Sequence, residues 1–386
     1  MQRSRRGAVD PFIVMDVMEA ARKREAEGHD VIHMEVGQPA TGAPEAAIAR
    51  LGTVMARAPL GYTVALGRPD LRAGIARLYR DWYGLDISPE RIVVTAGSSA
   101  GFVLAFTALF DRGARVAVGE PGYPSYRNIL GALDLCPVGI PTRPENRFQP
   151  TPDEVARIPD LAGLLVASPA NPSGTMLDRP ALEGLIAASH ARGAAFISDE
   201  IYHGLHYEER AISALEVSDD VVVINSFSKY FSMTGWRIGW MVVPEPLVRT
   251  FERLAQNMFI CAPHASQIAA LAALGCRDEL QANLEVYRAN RDLLLTGLPK
   301  AGFRRLAPPD GAFYVYADVS EMTTDSAALA RAILLEAGVA VTPGLDFDPV
   351  RGHQSLRFSY AGSTDDMAEG LARLARFMAA RGAPGA

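Results

Sequence analysis

The sequence predicts an α/β protein: a mainly parallel sheet flanked by helices, joined to a smaller α+β unit. Three observations point there. Short apolar runs alternate with helical patterns through the middle of the chain, the spacing expected of parallel strands linked by crossover helices. The chain has 386 residues, more than a single ordinary core usually serves. Both ends lack the alternation and read instead as helices around a strand pair.

The elements follow in order. Residues 12–27 read as one helix stopping near Gly28, and a Gly/Pro-rich connector, GQPATGAP, follows at 37–44. Candidate strands are RIVVTA (91–96), RVAVG (115–119), LAGLLVAS (161–168), AAFISDE (194–200), VVVINSF (221–227) and IGWMVV (238–243). Helical stretches such as AGFVLAFTALF (100–110) and DRPALEGLIAASHARG (178–193) separate them. Beyond about 280 a long helical pattern, NLEVYRANRDLLLTGL, leads to strands around GAFYVYADV (311–319) and SLRFSYA (355–361), with helices at 326–337 and 364–381. A large domain is expected over 45–280, and a small one formed by both termini, 1–44 with 281–386. No internal repeat occurs, and low complexity is confined to the C-terminal RGAPGA.

Composition narrows the class. Hydrophobic residues make up 49% and charged residues 21%, the profile of a soluble globular protein. A formal charge of −6 gives no reason to expect nucleic acid or an anionic membrane as partner. Cys136, Cys261 and Cys276 are scattered without a CxxC pair or zinc-like His spacing, which suits a reducing cytoplasm. The basic N-terminus leads into no apolar signal core, and no run of about 18 apolar residues occurs. A cytoplasmic protein is the expectation.

Four polar signals fall just after predicted strands, where an open α/β sheet places its ligands. AGSSAGF (96–102) leads from a strand into a helix whose first N–H groups could hold a phosphate; an ordinary N-capped helix is the bland alternative. In SPANPSG (168–174), prolines hold the backbone around Asn171 extended, although a plain turn would use the same prolines. Asp199, in ISDEIYHGL (197–205), ends an apolar strand, and a buried carboxylate needs a partner. An arginine or a cationic ring nitrogen would serve. The fourth signal is SKYFSMTGWRIGW (228–240). Only three of the 38 Lys and Arg residues are lysine (Lys23, Lys229 and Lys300). Lys229 stands beside Ser226, Ser228 and Arg237, hydroxyls and a guanidinium suited to a phosphate dianion. A lysine, unlike an arginine, can lose its proton and attack a carbonyl. Phosphate, cationic ring nitrogen, ring hydroxyl and aldehyde are together the handles of pyridoxal 5′-phosphate.

With these motifs the chain resembles the aspartate aminotransferase family, the class I/II aminotransferases of fold type I. The likeness runs from EVGQPATGAP (35–44) to SLRFSYAG (355–362); SKYFSMTGWRIGW fits the family's lysine signature, and NPSG, SDEIY and PGYPSY (121–126) follow its order. The resemblance implies a seven-stranded sheet in the large domain, pyridoxal phosphate as cofactor, and transfer of an amino group from an L-amino acid to a 2-oxo acid. It implies that Lys229 forms the Schiff base and shuttles a proton. Asp199 would pair with the pyridine nitrogen, Asn171 and Tyr202 would meet the phenolic oxygen, and Tyr123 would stack on the ring. Ser98, Ser99, Ser226, Ser228 and Arg237 would share the phosphate. Arg357 and Gly37 would receive the substrate carboxylate, with Asn171 beside them. Tyr62 would reach the neighbouring subunit's phosphate, making the protein a homodimer. No metal is implied, and His203 reads as local packing or a site-edge polar group. Phe313 and Tyr314 border the substrate in this reading.

Substrate choice is less marked. Some bacterial aspartate enzymes of the family carry a lysine where this chain has Ser98, and TPGLDFDPVRGHQSLR (342–357) brings Asp346 and Asp348 near the expected site. A small or neutral donor side chain is therefore expected over an acidic one. Two alternatives share the scaffold: a lyase of the cystathionine β-lyase or aminocyclopropane carboxylate synthase type, and a non-catalytic regulator. The second usually carries a fused DNA-binding domain, for which a likeness beginning near residue 12 leaves no room.

Overall fold

The computed structural model describes residues 4–382; the first three residues and most of the RGAPGA tail lie outside the described residues. The main sheet has seven strands: β1 (Ile92–Thr95), β2 (Arg115–Glu120), β3 (Cys136–Pro141), β4 (Leu161–Ala167), β5 (Ala195–Asp199), β6 (Val222–Ser226) and β7 (Gly239–Val242). Their order across the sheet is β1-β7-β6-β5-β4-β2-β3. β7 runs antiparallel to both neighbours and every other pair is parallel. β4, β5 and β6 are buried almost throughout, covered on both faces, so they read as continuous apolar runs. Each fully buried Val, Leu or Ile there contributes about 1.5–3 kcal/mol over the exposed state.

β3 departs from the sequence expectation. Pro137 and Pro141 interrupt its pattern and most of its residues are exposed. It lies at the sheet edge, the one place a strand tolerates missing N–H donors.

The second sheet is antiparallel: β8 (Arg305–Leu306), β9 (Tyr314–Asp318), β10 (Thr342–Pro343) and β11 (Ser355–Ser359), in the order β10-β11-β9-β8. β9 and β11 are the expected pair, with Tyr316 opposite Arg357. Helix α1 (Ile13–Ala26) packs against β10, and Ile32–His33 pairs in parallel with Val339–Ala340. The N-terminal segment is thus seated on the C-terminal one. The helix expected at 326–337 is α-helical over Ser326–Ala332 and then widens into a π turn through Ile333–Ala337, ending at Gly338 with φ 64°.

Parallel strands bring their carboxyl ends to one edge. Ser168 and Asn171 after β4, Asp199 ending β5 and Lys229 after β6 therefore converge there, joined by the N-terminus of α2 (Gly97–Leu109) after β1. Among the described residues, no helix is long and apolar enough to cross a membrane, and no group of His, Cys, Asp or Glu side chains could hold a metal.

Candidate active site

A cavity of about 530 Å³ opens at this edge. Of the residues singled out from sequence, Gly37, Ser98, Ser99, Tyr123, Asn171, Asp199, Tyr202, Ser228, Lys229, Arg237, Tyr314 and Arg357 line it; Ser226, Phe313 and Tyr62 do not.

Lys229 sits in the tight turn after β6. Its Nζ donates to the carbonyl of Gly37 and lies 5.8 and 5.7 Å from the ring centres of Tyr202 and Phe313. Burial, with Arg357 and Arg237 nearby, pulls its pKa from 10.5 to about 7. Desolvation penalises the ammonium, so a neutral, nucleophilic amine is accessible near physiological pH.

Asp199 is 3% exposed. It accepts hydrogen bonds from the Tyr126 hydroxyl and from the Ile201 N–H at 3.1 Å. Burial still pushes it from 3.8 up to about 6. Two donors do not replace the lost water, and a cation beside the carboxylate would hold it ionised. Tyr126 was not singled out from sequence. Its one visible signal is its place in PGYPSY, three residues past Tyr123 and so on the same side of a helix.

Arg357, on β11, is buried and donates from Nη1 to Asn171 Oδ1 at 2.8 Å, and from Nη2 to the Glu35 carbonyl and to Thr342 Oγ1 at 3.3 Å. It has no acidic partner among the described residues, and its Nε is buried without a hydrogen bond. The guanidinium is sandwiched by the rings of Tyr314 and Phe347, 4.3 and 4.7 Å from their centres. The Tyr314 hydroxyl meets that of Tyr202 at 2.7 Å. A Cβ built on Gly37 would fall inside the Tyr314 hydroxyl. The glycine is thus required by an aromatic neighbour as well as by any ligand. Gly37→Ala is expected to destabilise the fold by about 1–3 kcal/mol through overpacking, read as a lowered urea midpoint; an unchanged midpoint would refute the contact.

At the opposite end the site favours an anion. The N-terminus of α2 has no side-chain cap, so its first N–H groups lack partners there. Arg237 is held at φ 51°, a conformation costing roughly 1–2 kcal/mol in a non-glycine residue, and its guanidinium lies over Gly97, where a Cβ would collide with it. It donates to the Thr234 carbonyl at 3.0 Å and has no acidic partner among the described residues. Ser226 Oγ donates to the Ile238 carbonyl and accepts from the Ser228 N–H, which shapes the turn behind the cavity.

Several placements differ from expectation. Asp346 does not face the cavity: its carboxylate accepts from the N–H groups of Ile13 and Val14 at 2.9 and 3.2 Å, capping α1. Asp348 pairs with Arg351 at 2.7 Å. Neither lines the cavity, although Asp346 is close enough to act electrostatically on Tyr123 and Arg357, which do. The wall there is apolar instead, built from Phe12, Val14, Met15 and Met18 around the start of α1, with Val36. Tyr62 is 82% exposed on this chain. His203 is buried packing: its ring nitrogens meet Tyr83 Oη at 2.6 Å and the Ser168 carbonyl at 2.9 Å, and desolvation lowers it to about 3.

The family model for class I and II aminotransferases matches residues 29–374. The chain belongs to the class I and II aminotransferases. It is 47% identical over 378 residues to a valine–pyruvate aminotransferase of Mycobacterium tuberculosis, covering 97% of each chain. A crystal structure from Silicibacter pomeroyi assigned to the aminotransferases superposes with a TM-score of 0.94 at 66% identity, covering 99% of this chain and 100% of that one. Aspartate aminotransferase from Thermus thermophilus superposes with a TM-score of 0.91 at 33% identity, covering 98% of this chain and 100% of that one. The protein is therefore an aminotransferase of fold type I, and the lyase and regulator alternatives are not favoured.

Pyridoxal phosphate is the cofactor of this aminotransferase family, and the cavity suits it. An uncompensated buried carboxylate faces one part of the cavity, an unpaired arginine beside a helix N-terminus another, and a lysine poised to lose its proton lies among them.

Proposed function

We propose that this aminotransferase takes its amino group from an L-amino acid with a neutral, apolar side chain and passes it to a 2-oxo acid such as pyruvate. The apolar wall at Phe12, Val14, Met15, Met18 and Val36 carries this reading. Among the described residues, the only cations lining the cavity are Lys229, Arg237 and Arg357, which leaves none of these residues' cations for a second substrate carboxylate. The valine–pyruvate activity named for the M. tuberculosis relative agrees with it. A carboxylate buried without a partner costs about 1–3 kcal/mol or more, so valine and alanine should exceed aspartate and glutamate by about 10–100-fold in kcat/KM. A half-reaction screen of the twenty amino acids by absorbance tests this, and aspartate or glutamate outrunning valine and alanine would overturn it.

The site residues take roles in the same reading. When bound, pyridoxal phosphate supplies an aldehyde that condenses with amines and a protonated ring that accepts electrons. Lys229 holds the cofactor and, once freed, moves a proton at the substrate Cα, its neutral amine acting as base. Asp199, steadied by Tyr126, pairs with the ring N–H. Asn171 and Tyr202 would donate toward the ring hydroxyl oxygen, and Tyr123 would cover the ring face. Ser98, Ser99, Ser228 and Arg237 hold the phosphate, with Ser226 bracing Ser228 from behind. Arg357 grips the α-carboxylate, with Asn171 beside it.

Tyr62 reaches this phosphate site only from a second copy of the chain, which makes a homodimer the working assembly. Its exposure, shared by Ile48, Met55, Val64 and Ile260, suits an apolar interface. A cytoplasmic location and the division into 45–280 and 1–44 with 281–386 belong to the same reading. The seven-stranded sheet draws only on residues 92–242 and the four-stranded sheet only on 305–359, consistent with that division.

A further inference from the structure

A second cavity of about 520 Å³ opens between the two sheets, almost the size of the first. Its walls include Arg143 and Phe148 from the segment after β3, Arg305 and Ala307 at β8, Tyr316 of β9, and Arg351. Two of the three guanidiniums are engaged: Arg351 pairs with Asp348 at 2.7 Å, and Arg305 with Asp318 at 3.4 Å and with Glu321. Arg143 is exposed and has no ion-pair partner among the described residues. The lining also carries the carboxylates of Asp318 and Asp348, a polar stretch at Gln354 and Ser355, and an apolar and aromatic part in which Phe148 lies edge-on to Tyr316 at 5.9 Å with Ala307 in the same buried cluster. An unpaired guanidinium next to an aromatic wall suits one carboxylate carried on a flat or apolar body.

Two packed rings connect this cavity to the active site. Tyr316 packs edge-on against Phe347 at 6.3 Å. Phe347 is fully buried and its ring supports the Arg357 guanidinium. The same 344–352 segment carries Asp346, which caps α1, and Asp348 and Arg351, which line the second cavity. A ligand against Tyr316 and Arg351 therefore presses on the support of both the arginine and the apolar wall of the active site.

We propose that this cleft is an effector site for a small monocarboxylic acid with an aromatic or apolar body, and that its occupancy reaches the active site through Tyr316 and Phe347. The coupling rests on the substrate role given to Arg357; the binding does not.

The probe is 4-fluorophenylacetate, followed by fluorine NMR on the cofactor-loaded enzyme. Arg357→Ala removes the carboxylate grip of the active site, so saturable binding that persists in it reports the cleft. Adding Arg143→Glu to that variant should weaken the remaining binding about tenfold or more. In the otherwise wild-type enzyme the probe should change the half-reaction rate at saturating valine, where simple competition has vanished, and Arg143→Glu should abolish that change. Arg143 is exposed, so its reversal leaves the fold in place, which the melting temperature checks. Remaining binding indifferent to the Arg143 charge, or a saturated half-reaction that the probe leaves untouched, would overturn the proposal. If Arg357→Ala leaves the KM for valine unchanged, the active-site reading fails separately, and binding in the cleft is still decided by Arg143.

Discussion

Lys229→Ala is expected to lower transamination by at least about 10⁴-fold, the upper end of what one positioned proton-transfer group supplies. The loss should be that large because the same amine holds the cofactor and acts at Cα, and no other lysine approaches the cavity. Lys229→Arg should fare no better, since a guanidinium does not deprotonate at working pH. The cofactor's absorbance should show weak retention in both variants, held by the anion end and Asp199. Turnover at wild-type level in Lys229→Ala would end the assignment. The pH dependence follows from burial. In cofactor-free protein, capture of the aldehyde, trapped by borohydride, should rise as pH passes about 7 rather than about 10.5. The folded chain sheds this proton near pH 7 and the unfolded chain keeps it to 10.5. Between those values the native state binds fewer protons, so this group's contribution to stability rises with pH.

Arg357→Ala should reduce kcat/KM for amino acids by about 2–5 kcal/mol, roughly 30- to 4000-fold, as expected when one partner of a buried charge pair is removed. Most of the loss should appear in KM, because the guanidinium grips a carboxylate that does not itself react. Arg357→Lys should recover little: an ammonium offers neither the two-pronged geometry nor the flat surface stacked between Tyr314 and Phe347. A purely structural role is separated by the substrate. A simple primary amine, having no carboxylate, should react equally with wild type and variant. If the amine loses as much as the amino acid, Arg357 acts through the fold instead.

How much of this was visible in the sequence depends on what each feature needed. β4, β5 and β6 were legible because burial on both faces writes a continuous apolar run. β3 was not, since an edge strand tolerates Pro137 and Pro141, which elsewhere argue against a strand. Two-residue β8 and β10 are too short to carry any period. Lys229, Asp199 and Asn171 stood out because their surroundings are local: a strand end, a turn, a flanking proline; Arg357, whose partners Asn171 and Glu35 lie 186 and 322 residues away, was named only through the family resemblance. Tyr126 was hidden because its partner lies 73 residues away, and nothing local separates it from a core aromatic. Asp346 and Asp348 were placed correctly near the site but facing the wrong way, because chain proximity says nothing about which N–H or guanidinium captures a carboxylate. Residues 12–27 were legible as a helix, but nothing in that reading placed the start of the helix against the cavity.

That helix has a further consequence. Phe12, Val14, Met15 and Met18 line the cavity from the start of α1, a segment that carries none of the cavity's lysine, aspartate or arginine side chains. Exchanges at those four positions are therefore expected to reshape the cavity while leaving Lys229, Asp199 and Arg357 in place.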